Sequence, residues 1–121
     1  MTETALLAAR ARALHDLAAR HLDAPGVVDV VEDAVGTRRW WVGQWPDGAD
    51  CVAGQVAQDV QERLLDDHGL RWPECLTCPE PAVHVLRISP DLGPDPHWTC
   101  EESGRVVAPL GALPPDGGQS R

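Results

Sequence analysis

Trp72-Pro73-Glu74-Cys75-Leu76-Thr77-Cys78 opens the stretch on which the reading of this chain turns. It continues through His84 and His97-Trp98-Thr99-Cys100 to Gly104-Arg105-Val106-Val107-Ala108-Pro109-Leu110-Gly111. Three of the four cysteines and two of the five histidines lie inside it. Cys75-x-x-Cys78 in a turn lets two thiolates reach one ion from neighbouring backbone positions. Zinc takes four ligands in a tetrahedron, and thiolate with imidazole suits it. Twenty-one residues separate Cys78 from Cys100, room for one strand and its return, so Cys100 is the candidate third ligand. The fourth is either His84 or His97, the latter forming His97-x-x-Cys100. Four protein ligands make a closed, structural site, whereas a catalytic zinc keeps a position for water. A set of reduced loop thiols and a Cys75–Cys78 redox pair are the competing readings.

Around these ligands the chain reads as short strands and loops. Ala82 to Ile88 is a candidate strand. Ser89 to Pro96 is a loop by its proline and glycine content. Trp98–Cys100 and Arg105–Ala108 flank a hairpin turn at Glu101-Glu102-Ser103-Gly104. Residues 114–121 read as a disordered tail with nothing to pack.

Upstream, Leu7, Ala11, Leu14, Ala18 and Leu22 recur at helical spacing, predicting a helix over 3–22 that Pro25-Gly26 ends. The valine-rich segment 27–35 predicts a strand, Gly36-Thr37 a turn, and Arg38 to Trp45 a return strand. Within that hairpin, an exposed Trp40 or Trp41 beside Arg38 and Arg39 is a candidate contact surface. Otherwise these tryptophans are the core aromatics of a chain without Phe or Tyr. Asp50 is a candidate N-cap for a second helix over 51–67. Its apolar face is Val52, Val56, Val60 and Leu64, and Gly69 stands just past its end. Cys51 in the first turn is either a thiol activated by the helix N-terminus or a small core residue.

At 121 residues the chain buries roughly two-thirds of its unfolded surface. That gives a thin core, which a metal staple supports. Nineteen acids face ten bases, all arginine, for a net charge of −9. This balance argues against phosphate-backbone binding and against an anionic membrane surface. Arg71, Arg87 and Arg105 near the candidate ribbon are outnumbered by the acids between Glu74 and Glu102. A protein partner, basic in character, is the expected kind. No transmembrane span is present, and Arg10, Arg12, His15 and Asp16 break the N-terminal apolar run that a secretory signal needs. A cytoplasmic location is expected, where disulfides are not the default.

The C-terminal pattern resembles that of a scattered group of small uncharacterised actinobacterial proteins. Theirs runs Trp-Pro-x-Cys-x-x-His, His-x-Leu, Trp-x-Cys, a Gly turn, then Val-Ala-x-x-Gly-x-Leu. Here it falls on Trp72-Pro73-Glu74-Cys75, Cys78 in place of the first His, His84-Val85-Leu86, Trp98-Thr99-Cys100, Gly104 and Val107-Ala108-Pro109-Leu110-Gly111-Ala112-Leu113. The resemblance covers about a third of the chain and implies His84 as the fourth ligand. It implies no activity.

Pro73-x-Cys75-x-x-Cys78 matches half of the zinc deaminase signature, but no His- or Cys-x-Glu precedes it. HExxH, Gly-x-Ser-x-Gly and a phosphate loop are absent, and without lysine so is Schiff-base chemistry. The expected fold class is therefore α+β, with two helices packed on a small antiparallel sheet plus a C-terminal zinc-ribbon-like β module. Residues 1–71 form a helix–hairpin–helix part, 72–113 the ribbon-like module and 114–121 the tail. The expected ligands are Cys75, Cys78, His84 and Cys100. The expected function is non-catalytic: an acidic protein–protein interaction or adaptor protein held by structural zinc. The alternative is a thiol- or zinc-dependent enzyme, by CxxC redox chemistry or an open zinc site. The sequence sets no oligomeric state.

Overall fold

The computed structural model describes residues 2–76, 78 and 84–115. The chain is α+β: among the described residues, three α-helices are followed by a three-stranded antiparallel sheet. Helix α1 spans Thr2–Ala18, α2 Pro25–Gln44 and α3 Val52–His68, with a 3-10 turn over Pro46–Cys51 between the last two. The strands are β1 Arg87–Ser89, β2 His97–Thr99 and β3 Val106–Pro109, in the order β1-β2-β3. Ile88 pairs with Trp98, and Trp98 with Ala108.

The largest departure from expectation is at 27–45. The expected hairpin is a single helix, so three helices, not two, precede the sheet. The buried positions give the reason: Val27, Val30, Val31, Ala34, Val35 and Val42 recur at the helical period, not at two. Pro25, expected to end the first helix, occupies the opening of α2, where its missing N–H costs nothing. A Cβ at Gly36 would meet nothing within 4 Å, so this glycine is an open helical position and not a turn.

Helix α3 falls where its apolar face predicts, burying Val52, Val56, Val60 and Leu64. Gly69 adopts φ 65°, and the Leu70 N–H returns to the Leu64 carbonyl, closing the helix. Asp50 is not its cap; Cys51 holds that position, and its side chain makes no capping hydrogen bond to the helix.

The helices pack on one another and α3 packs on β1, where Ile88 lies over Gly54. One core runs from Leu6, Val31 and Val56 through Trp72 and Leu86 to Trp98 and Leu113. Two buried polar side chains join helix to sheet. Asp16 of α1 accepts from Trp98 Nε1, Gly111 N–H and Leu113 N–H. Gln61 of α3 donates Nε2 to the carbonyls of Trp72 and Leu86, at 3.1 and 2.7 Å. The described residues of the expected tail are Pro114 and Pro115, and the Pro114 carbonyl accepts from Arg20 Nε. The rest of that tail lies outside the described residues. No described helix is long and apolar enough to cross a membrane.

Candidate metal centre

The four expected ligands come from three backbone segments. Cys75 follows Trp72-Pro73-Glu74, a stretch paired with His84-Val85-Leu86. There the Cys75 N–H donates to the His84 carbonyl at 2.9 Å, and the Leu86 N–H to the Pro73 carbonyl at 2.8 Å. This pairing places Cys75 and His84 side by side. Trp72, fully buried, anchors the first segment by donating its Nε1 to the Asp16 carbonyl. Cys100 follows β2 directly. Its N–H donates to the Arg105 carbonyl and its own carbonyl accepts the Gly104 N–H, both at 2.8 Å, which closes the turn after the strand. Gly104 sits at φ 76°, a region that suits glycine. Trp98, two residues before Cys100, meets Trp72 edge to face at 5.2 Å between ring centroids. The two tryptophans thus hold both ligand-bearing segments on one buried support.

The donor atoms of Cys75, Cys78, His84 and Cys100 all lie within 4.8 Å of one another. Cys78 Sγ stands 3.5 Å from Cys100 Sγ, and Cys100 Sγ stands 3.5 Å from His84 Nε2. A tetrahedral ion with metal–sulfur bonds of about 2.3 Å and a metal–nitrogen bond of about 2.0 Å sets such edges near 3.5–3.8 Å. Three cysteines and one histidine are therefore placed to hold a metal ion. The Ser103 N–H donates to Cys100 Sγ at 3.4 Å, a contact that favours a thiolate. The group's charge distribution follows. The Cys100 pKa falls to about 6, mainly through Ser103 and then His84. That of Cys78 rises to about 11, chiefly through its contact with Cys100. Without a cation the cluster favours one thiolate over several; a divalent ion removes that penalty.

His97, the other candidate ligand, lies outside this group; its Nδ1 is 2.9 Å from the Asp95 carbonyl. Cys51 is also apart from it. Its thiol is buried and donates to the Gly48 carbonyl at 3.4 Å, and burial raises its pKa. Desolvation here outweighs any help from the helix N-terminus, which favours the core reading over the activated one. Asp16 and Gln61 were not singled out from sequence as supports of the site. The buried face of α1 is Leu6, Ala9, Ala13 and Leu17, whereas Leu7, Ala11 and Ala18 of the expected stripe are exposed. Asp16 stands three residues after Ala13 and seven after Ala9, on that buried face, which was the signal available for it.

A helical layer carrying a small antiparallel sheet, with a Cys-Cys-His-Cys cluster at the sheet's end, defines the class: an α+β domain with a ribbon-like candidate metal centre. The chain belongs to the family described as Domain of unknown function (DUF8819), whose model matches residues 2–110. That span takes in all four cluster residues. No curated protein matches the chain, and no solved structure does.

Proposed function

We propose that this is a non-catalytic, acidic protein–protein interaction or adaptor protein, cytoplasmic, whose fold is fastened by one structural zinc ion on Cys75, Cys78, His84 and Cys100. The observation that carries the reading is the convergence of four donor atoms within 4.8 Å. Three soft thiolates and one imidazole suit zinc better than the hard, oxygen-seeking cations. Four protein ligands complete a tetrahedron and leave no position for a substrate or water. The cluster joins 75–78 to 84 and 100, so the ion ties together a part of the chain whose strands are only three or four residues long. Short strands contribute little alone, and metal binding supplies folding free energy directly. The net charge of −9 supports a basic protein partner over nucleic acid or an anionic membrane.

One observation favours the enzyme reading. A cleft of about 310 Å³, lined by Arg71, His84, Arg87, Glu101 and Glu102 among others, opens beside His84. An open zinc there would need His84 to be dispensable. Cobalt substitution separates the two. A closed Cys3His site gives the intense visible bands of tetrahedral cobalt with thiolate charge transfer, unchanged by added azide or imidazole. Bands that shift on adding either ligand mean an exchangeable position, and would overturn the structural reading.

A further inference from the structure

We propose that the outward stripe of α2, made of Asp29, Asp33, Gly36, Trp40 and Gly43, docks a basic amphipathic segment of a partner protein. The proposal rests on the interaction reading above and names the surface and chemistry it would use. Residues 29, 33, 36, 40 and 43 step by four and three, which sets them in one line along a helix. All five are exposed, on the side away from buried Val27, Val30, Val31, Ala34 and Val35.

Trp40 is 68% exposed, the most of any large apolar side chain among the described residues. Its neighbours one turn away on the stripe are glycines, and a Cβ at Gly36 or Gly43 would meet nothing within 4 Å. The indole therefore stands between two bare lengths of backbone, so an incoming side chain can reach its face and lie close to the helix. Tryptophan is one of the residue types enriched at the centre of such contacts.

Charge selects the occupant. The N-terminal end of the stripe carries two carboxylates. Asp29 has no ion pair among the described residues, and Asp33 is approached only by Arg63, at 3.5 Å. The nearby cations are engaged elsewhere: Arg38 holds Asp59 in a bidentate pair, and Arg39 holds Glu3. A partner segment with arginine or lysine at one end and apolar residues at the other meets the carboxylates and the indole at once. Its cations can also stack on the indole face. A second copy of this chain fits poorly. Its stripe offers no cation, so antiparallel pairing sets carboxylates against the indole and parallel pairing sets them against each other. The negative sign also disfavours nucleic acid and anionic lipid.

The test uses the intact zinc-loaded chain, labelled with 15N, and a synthetic amphipathic leucine–arginine peptide, with its leucine–glutamate counterpart as control. The five tryptophans give five indole N–H signals, and Trp40→Phe assigns one. The expected result is a shift of the Trp40 indole and of the Gly36 and Gly43 amides with the basic peptide only. Binding should weaken about tenfold in Trp40→Ala and in Asp29→Asn/Asp33→Asn, and with added salt. Trp40→Ala is solvent-exposed and should fold as wild type, which its amide spectrum checks. Shifts confined to another face overturn the stripe but leave an interaction protein. No binding of the basic peptide even at low salt overturns the stripe and the basic-partner reading together. Concentration-dependent dimerisation abolished by Trp40→Ala overturns it in favour of a second copy.

Discussion

The Trp98 indole donates its Nε1 to Asp16 Oδ2 at 2.8 Å, across most of the chain's length, and neither side chain reaches solvent. Trp98 lies in β2 two residues before Cys100, and Asp16 lies in the last turn of α1. The same carboxylate receives the N–H groups of Gly111 and Leu113, and His15 Nδ1 lies 2.8 Å from its Oδ1. A buried charge is costly unless its lone pairs are filled, and here they are. Asp16 therefore fixes how the helices sit on the part that carries the candidate ligands.

Asp16→Asn keeps the shape but replaces one acceptor oxygen with a donor that faces other donors. It is expected to cost about 2–4 kcal/mol, measured by denaturant unfolding of the metal-loaded protein. Trp98→Phe, which keeps a ring and removes one donor, should cost about as much or less. Metal stoichiometry should remain one per chain in Asp16→Asn, because none of the ligands changes.

Gly111 delivers its N–H to Asp16 from φ 94°. A Cβ there would stand 2.7 Å from Arg12 Cγ and 3.1 Å from Arg12 Cβ, the root of that side chain, so relief of the clash requires the two segments to move apart, in addition to the backbone strain. Gly111→Ala should lower stability by about 1–3 kcal/mol, read as a reduced unfolding midpoint.

The metal-free chain should show a two-sided pH dependence. Cys100 has its pKa lowered to about 6 in the folded state, against about 9 when unfolded. Between those values the unfolded chain binds more protons, so stability rises with pH, and this contribution is lost as pH falls through 6. Cys78 is raised to about 11, so from 9 to 11 the folded chain binds more protons and stability falls. Urea midpoints of chelator-treated protein across this range check both limbs. Cys100→Ser should flatten the lower one.

Cys51 is buried with its pKa raised. In the native metal-loaded protein it should resist alkylation by iodoacetamide at neutral pH, and it should label readily once unfolded. Mass spectrometry of the digested protein reads both states. Rapid native labelling would restore the reactive-thiol reading.

Much of the site was legible because its spacing is short-range. Cys75-x-x-Cys78, the strand before Cys100 and the turn after it are local patterns. The strand runs His97–Thr99 in place of the expected Trp98–Cys100, the turn follows Cys100, and the donors of Cys75, Cys78, His84 and Cys100 lie together with His97 outside. The hairpin expectation for 27–45 arises because the five valines of 27–35 weigh towards a strand and Gly36-Thr37 towards a turn. The helical recurrence of Val27, Val30, Val31, Ala34 and Val35 was the competing signal, and packing between α1 and α3 lets it win. The roles of Asp16 and Gln61 are long-range pairings, which no local pattern carries. Of the expected 82–88 strand, residues 84–88 are described: Arg87 and Ile88 belong to β1, which continues to Ser89, and Val85 forms an isolated bridge with Glu74; Ala82 and Val83 lie outside the described residues.

The most direct measurement is native mass spectrometry of chain purified without chelator, repeated on Cys100→Ser, His84→Ala and His97→Ala under mild chelator competition. One zinc per chain is expected in wild type and His97→Ala, with loss from Cys100→Ser and His84→Ala. Loss from His97→Ala with retention in His84→Ala would contradict the ligand set. A metal-free wild type lighter by the two hydrogens of a disulfide would contradict the zinc centre altogether.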